Sequence, residues 1–245
     1  NAGHVRVYSE SGGTWTQVGQ DIDGEAAGDE SGYSVSMSSD GTRVAIGAPF
    51  NALFDRSPDS NAGHVRVYAE SGGTWTQVGA DIEGEAAYDY FGWSVSMSSD
   101  GTRVAIGAIR NDGTGTAAGH VRVYSESGGT WTQVGSDIEG EAAYDYSGYS
   151  VSMSSDGTRV AIGAYGNDGT GTAAGHVRVY SESGGTWTQV GSDIEGEAAG
   201  DESGYSVSIS SDGTRVAIGA PYNDGTGSNA GHVRVYSESG GTWTQ

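Results

Sequence analysis

The chain has 245 residues, 44 of them glycine, and its 32 acidic residues against 11 arginines and no lysine give a net charge of −21. Such an acidic chain repels nucleic acid and anionic membranes, so we expect neither nucleic-acid binding nor membrane insertion. There is no cysteine, which excludes disulfides and thiol catalysis, and the acidity favours an extracellular or cell-surface location.

A six-residue marker, Gly-His-Val-Arg-Val-Tyr, identifies a tandem repeat. Its histidine stands at His4, His64, His120, His176 and His232, so the spacings are 60, 56, 56 and 56 residues. The longer first spacing comes from extra residues within 49–60. A connection that tolerates a change of length predicts a surface loop there.

Taken in chain order, each unit predicts four strands joined by two tight turns and two longer connections. In the second unit the strands cover 93–98, 102–108, 120–125 and 130–134. Asp100-Gly101 and Gly128-Gly129 are typical hairpin turns between alternating runs. A glycine-rich loop covers 111–119, and an acidic connection at 137–145 leads to the next unit.

Four short antiparallel strands form a meander that cannot bury both of its faces alone, so the copies must stack. We therefore predict an all-β fold of tandem four-stranded antiparallel blades, β-propeller-like, arranged as a closed ring or as an open stack. The predicted limits are a half blade at 1–22 and blades at about 23–80, 81–136, 137–192 and 193–245.

The motifs of each unit resemble the FG-GAP repeat. Phe91-Gly92-Trp93-Ser94-Val95 is followed by Val104-Ala105-Ile106-Gly107-Ala108, and the Gly-Ala-Pro end is literal at Gly47-Ala48-Pro49 and Gly219-Ala220-Pro221. The resemblance covers essentially the whole chain. It implies that each unit forms a blade like those of integrin α-subunit propellers and of secreted microbial proteins.

The chain departs from that family in the loop where calcium is often held, between the first and second strands. Here the loop has shrunk to residues 98–102 and offers one carboxylate. Calcium requires several oxygen ligands, so we do not expect the family's calcium site in this loop. The Phe-Gly pair is also literal only once.

Two sets of residues are candidates for binding. The loop Asn-Asp-Gly-Thr-Gly occurs three times, and its aspartates are candidate calcium ligands: Asp112, Asp168 and Asp224. The alternative is a turn in which Asn and Asp satisfy local backbone groups. The second set consists of tryptophans that either stack on sugar rings or wedge between blades: Trp15, Trp75, Trp131, Trp187 and Trp243.

Other polar residues are interpreted as structural. The marker histidine has no second histidine or cysteine at ligand spacing, so we expect hydrogen bonds across strands rather than zinc. Arg103 and Arg122 need acidic or aromatic neighbours because they lie on adjacent strands. The carboxylates of the acidic connection, such as Asp81 and Glu83, are expected to form a solvated rim or a weak calcium surface.

Identical sites in every unit favour a non-enzymatic protein, because an active site usually breaks symmetry. The chain begins and ends with the same two strands, which predicts a window of a longer array or filament. The predicted function is therefore a structural or adhesive extracellular repeat protein that self-associates. The alternative is a multivalent propeller lectin that binds glycans, and a cell-surface protein is a further candidate partner.

Overall fold

A computed structural model describes residues 1–52 and 61–245, and in this part of the chain every regular element is a β-strand. The predicted loop at 49–60 extends into residues outside the described ones. No helix in the described ranges is long and apolar enough to cross a membrane. The half unit contains β1 His4–Val5, β2 Tyr8–Ser11, β3 Thr14–Gln17 and β4 Ile22–Asp23.

Four full units follow, and each contains four or five strands. Unit 1 has β5 Ser34–Met37, β6 Arg43–Ala48, β7 His64–Ser71, β8 Thr74–Gln77 and β9 Ile82–Glu83. Unit 2 has β10 Phe91–Met97, β11 Arg103–Ala108, β12 His120–Ser127, β13 Thr130–Gln133 and β14 Ile138–Glu139. Unit 3 has β15 Ser150–Met153, β16 Arg159–Ala164, β17 His176–Ser183, β18 Thr186–Gln189 and β19 Ile194–Glu195. Unit 4 has β20 Ser206–Ile209, β21 Arg215–Ala220, β22 His232–Ser239 and β23 Thr242–Thr244.

Each full unit is an antiparallel meander of four strands, as predicted. In unit 2 the order is β10-β11-β12-β13, and β12 also pairs with the two-residue strand β14. The pairing of His120 with Glu139 and of Val121 with Ile138 ties the start of the acidic connection to the preceding sheet. The sequence did not predict this strand, because two residues are too few for an alternating pattern.

The core lies between successive sheets, because both faces of the inner strands carry residues that pack. Between units 2 and 3 it includes Val121 and Val123 from one sheet and Val160 and Ile162 from the next, all 2 % exposed or less. Equivalent clusters join the other units. The sheets are therefore stacked blades, each of which completes the core of its neighbour.

Two glycines set the close approach of the blades. A Cβ atom on Gly107 would overlap the carbonyl oxygen of Gly148 in the next unit. The Ser94 hydroxyl donates a hydrogen bond of 2.7 Å to the same oxygen. These are the glycines of the Gly-Ala and Ser-Gly or Phe-Gly signatures, so the two halves of the repeat motif meet across the joint between blades.

The stack is open at both ends. In unit 4, Val233 is 69 % and Val235 is 55 % exposed, whereas the equivalent Val177 and Val179 of unit 3 are 0 % and 1 % exposed. At the other end, Val35 is 54 % exposed. Within the described residues no further blade covers either surface.

Candidate functional site

Four of the five repeated tryptophans lie at the joints between units. The indole N–H of Trp187 donates a hydrogen bond of 2.8 Å to the carbonyl oxygen of Val134 in the preceding unit. Trp75, Trp131 and Trp243 make the same bond to Val18, Val78 and Val190. This geometry fits the wedge interpretation. Trp15 is 68 % exposed, so the prediction of sugar stacking remains a prediction and Trp15 is its most accessible candidate.

The candidate calcium aspartates are exposed and act locally as turn residues. Asp112 accepts the backbone N–H of Ala117 at 2.8 Å. Asp168 and Asp224 do the same for Ala173 and Asn229, at 2.8 and 2.7 Å. This favours the turn interpretation, and calcium at these residues stays a prediction. In the short turn of unit 2, Asp100 is similarly engaged by the backbone N–H of Thr102, at 2.9 Å.

Arg103 and Arg122 have the acidic neighbours that the sequence predicted. Arg103 donates a hydrogen bond of 3.0 Å to Glu182 of the next unit. Arg122 pairs with Asp137 at 2.7 Å and with Glu85. Asp137 and Glu85 come from the acidic connections, so these segments form ion pairs as well as a solvated rim.

The marker histidines are buried without hydrogen bonds. His120 and His176 are each 1 % exposed, and neither ring nitrogen of either residue has a hydrogen-bond partner. Burial, with a contribution from Arg122 and Arg178 respectively, lowers the pKa of both to about 4. The predicted hydrogen bonds across strands are therefore wrong for these two residues, because the adjacent groups are too distant. Together with nearby carboxylates the histidines form clusters that can hold a metal ion.

One surface of the stack carries a continuous network of aromatic rings that crosses all four units. Tyr33 and Trp93 have ring centroids 4.7 Å apart, Trp93 and Tyr149 are 5.7 Å apart, and Tyr149 and Tyr205 are 4.8 Å apart. Further rings join at its border: Phe50, Tyr90, Tyr144, Tyr146, Tyr165 and Tyr222. We call this surface the aromatic face.

The aromatic face is where near-identical units differ. Residues 81–136, which comprise unit 2 and the acidic connection before it, and residues 137–192, the same part of unit 3, differ at only four positions. The four pairs are Phe91 and Ser147, Trp93 and Tyr149, Ile109 and Tyr165, and Arg110 and Gly166. Trp93, Tyr149 and Tyr165 are members of the network, and the Arg110 guanidinium lies 5.1 Å from the ring centroid of Tyr90. Change is therefore concentrated on one surface of a repeated scaffold.

Two tyrosines on this face, in units 2 and 3, have a strained backbone conformation. Tyr88 and Tyr144 have φ values of 69° and 68°, in the left-handed region that a bulky side chain rarely adopts. The equivalent positions of units 1 and 4 are Gly28 and Gly200, which suit that conformation. Strain held by a scaffold commonly marks a functional position.

Between units 2 and 3 the face contains an open groove of about 410 Å³. Its lining includes Arg110 and Asp112 together with the rings of Tyr88, Tyr144 and Tyr146. Tyr88 is 53 % and Tyr144 is 58 % exposed. The groove thus combines aromatic surfaces with a cation and an anion, a composition suited to a polar ligand that has flat apolar faces.

The groove was not predicted from the sequence, because the sequence predictions rested on what the units share. The few positions at which the two almost identical units differ indicate the aromatic face beside the groove, and Arg110 is the one of them that lines the groove itself. Three of the four differing pairs contain an aromatic residue or arginine at the aromatic face. The differences between units therefore indicate this surface, whereas composition and periodicity do not.

A protein-family model described as FG-GAP repeat matches the chain three times in tandem, at 83–124, 139–180 and 195–236. These matches cover just over half of the chain. They confirm the resemblance that the motifs indicated. No curated protein matches the chain.

Solved structures also share the fold. A candidate 6-phosphogluconolactonase from Bacteroides uniformis has a TM-score of 0.61 at 13 % identity, over 98 % of this chain and 63 % of its own. A second one, from Bacteroides fragilis, has 0.62 at 11 %, over 98 % and 63 %. The periplasmic gluconolactonase of Pseudomonas aeruginosa has 0.59 at 16 %, over 97 % and 61 %. The chain spans less than two thirds of the length of each.

These neighbours correct one expectation. The sequence predicted a protein that is not an enzyme, on the argument that repeated architecture disfavours an active site. The match to structures named as gluconolactonases contradicts that prediction, because stacked blades of this fold occur in proteins named for a hydrolytic reaction. At this level of identity the likeness shows the fold alone.

Proposed function

Because this chain belongs to the FG-GAP repeat family, we propose that it is an extracellular adhesion module that binds carbohydrate in the groove between units 2 and 3. The observation that carries the proposal is the composition of the groove, in which the exposed rings of Tyr88 and Tyr144 lie beside Arg110 and Asp112. Sugar rings have apolar faces that stack on tyrosine, and their hydroxyls bond to charged groups such as Arg110 and Asp112.

The location outside the cell is part of the same proposal. It is supported by the membership of the FG-GAP family and by the net charge of −21. A periplasmic protein among the structural neighbours is compatible with it. Detection of the protein in culture medium or on intact cells would test the location directly.

The groove can be altered without damaging the fold, because unit 4 already carries other residues there. Replacing Tyr144→Gly and Tyr146→Glu copies Gly200 and Glu202 into unit 3. We expect carbohydrate binding, measured on a glycan array and then by calorimetry, to fall at least about 10-fold, the loss of one good contact. Stability should change by no more than about 1 kcal/mol, since glycine relieves the strained φ of Tyr144.

A matched control separates this site from the tryptophans. Trp15→Ala removes the most exposed of the five tryptophan rings that are candidates for sugar stacking. If binding falls with Trp15→Ala and persists in the groove variant, the lectin alternative based on tryptophan is favoured and the groove proposal is wrong. The same assay with Ca²⁺ and with a chelator tests calcium, because Asp112 lines the groove and sugar hydroxyls would supply further oxygen ligands.

A second candidate function, self-association, is favoured by the exposed end surfaces. Residues 1–17 and 229–245 have the same sequence. Residues 229–245 of one copy can therefore take the place of residues 1–17 on unit 1 of the next copy, where Val233 and Val235 would occupy the positions of Val5 and Val7 in the core. The first two strands of unit 4 would in addition cover Val35 and Met37, which are 54 % and 41 % exposed. A head-to-tail contact of this kind produces a filament.

Val233→Ser together with Val235→Ser tests this association. Both side chains face solvent in the isolated chain, so the variant should fold normally. We expect the unmodified chain to form larger species as its concentration rises, seen by light scattering or sedimentation, and the variant to stay monomeric. An unmodified chain that remains monomeric at its highest soluble concentration would rule out the filament.

A further inference from the structure

Each marker histidine of units 1 to 3 lies beside two carboxylates that come from opposite sides of its unit. In unit 3, Nδ1 of His176 is 3.9 Å from Oε2 of Glu141 and 3.7 Å from Oδ2 of Asp193. Glu141 belongs to the connection before the unit and Asp193 to the connection after it. The equivalent groups are Glu25, His64 and Asp81, and Glu85, His120 and Asp137.

The three potential donor atoms of each cluster lie within 4.8 Å of one another. Donors at about 2.0–2.2 Å from a common ion would be roughly 3.4 Å apart in a tetrahedral site, so a small contraction completes the set. The imidazole of His176 is 1 % exposed, and its Nδ1 has no hydrogen-bond partner although a carboxylate oxygen of each acidic residue lies within 4 Å of it. An orphaned buried ring nitrogen among carboxylates is the arrangement that a metal ion satisfies.

The net charge of the residues near His176 also favours a divalent cation. Glu141, Asp193 and Glu195 carry three negative charges, and Arg178 supplies one positive charge. Glu195 pairs with His176 across the sheet, and its Oε2 is buried without a hydrogen-bond partner. Asp145 adds a further negative charge near the ring, so the surroundings of the neutral imidazole are net negative, which favours a divalent cation.

The clusters differ in which groups the arginine of the marker motif contacts. In unit 2, Arg122 bridges both carboxylates, Asp137 and Glu85. In unit 3, Arg178 instead contacts Glu141 at 3.3 Å and the carbonyl oxygen of Glu139 at 3.2 Å. Among the described contacts Asp193 has no arginine partner. The third cluster therefore needs the least rearrangement to admit a cation.

We propose that these clusters are binding sites for a divalent transition-metal ion of the zinc type, with His176, Glu141 and Asp193 as the ligands of the first site to fill. One imidazole nitrogen and two carboxylate oxygens suit zinc and its neighbours, whereas calcium prefers oxygen alone. The fourth position is open to water. An ion here would join the connections on both sides of one blade, residues 141 and 193, and so brace the stack.

Zinc binding to the whole chain tests the proposal. After treatment with a chelator, calorimetric titration with Zn²⁺ should detect binding, and NMR of the imidazole nitrogens should show a shift at Nδ1 of His176. Asp193→Asn and Glu141→Gln should each abolish the tightest event. Both residues are partly exposed, at 23 % and 46 %, so these variants should fold.

The chain supplies its own control. His232 is 3.6 Å from Glu197, is 26 % exposed and is not in a three-ligand cluster among the described residues. His232→Gln should leave Zn²⁺ binding unchanged. A tightest Zn²⁺ binding event that survives Asp193→Asn and Glu141→Gln, or that Ca²⁺ produces equally well, would overturn the proposal. Absence of any Zn²⁺ binding by the folded, chelator-treated chain would do the same.

Discussion

Trp187→Ala is expected to lower the free energy of unfolding by about 3 kcal/mol. The ring packs against the core between units 2 and 3, and its N–H bonds to Val134 at 2.8 Å. Truncation therefore leaves a cavity and an orphaned carbonyl oxygen. Denaturant unfolding followed by circular dichroism measures the loss.

Trp15→Ala is the matched control, because Trp15 has the same local sequence, Thr-Trp-Thr-Gln, and is 68 % exposed. It should change stability by no more than about 0.5 kcal/mol, as for other surface substitutions. Equal losses in the two variants would show that the ring stabilises its own hairpin rather than the joint between units.

Gly163→Ala is expected to destabilise the chain by about 3 kcal/mol or more. The added methyl would overlap the backbone carbonyl of Gly204 in unit 4 and crowd the Ser150 hydroxyl. Backbone cannot rotate away as a side chain can, so the two sheets must separate and lose the packing between them. The effect should appear as a lower unfolding midpoint, measured by thermal or denaturant unfolding.

Gly219→Ala is the same substitution at the equivalent position of the last unit. There the three atoms nearest to the methyl all belong to Ser206 of the same unit, so it does not overlap the backbone of another described unit. We expect a change within about 1 kcal/mol. A large loss at Gly219 would mean that the strand itself, and not the joint between blades, requires glycine.

The blades were predictable because their strands alternate, and Asp-Gly and Gly-Gly turns separate them. Burial of the tryptophans was not predictable from local sequence. Trp15 and Trp75 share one tetrapeptide, yet they are 68 % and 4 % exposed. The difference is the presence of a preceding unit, which is a property of position in the array.

The histidine clusters could not be predicted from the sequence for a related reason. Glu141 and Asp193 flank a whole blade, and only the closed meander brings both to His176. Metal sites are recognised in a sequence by ligands that lie near each other along the chain. The marker histidines have no such neighbours, and the sequence therefore predicted no metal site there. The aromatic face, by contrast, could be found from the sequence, because three of the four positions at which units 2 and 3 differ lie there.

The uniform joints between blades have a genetic consequence. Because each unit meets its neighbour through the same glycine contact and the same tryptophan bond, unequal recombination can delete or duplicate a 56-residue segment in frame and leave the joints intact. The number of blades is then free to change over short evolutionary times. The groove cannot change residue by residue through such an exchange, because a deletion or duplication removes or copies Arg110 and the surrounding tyrosines together.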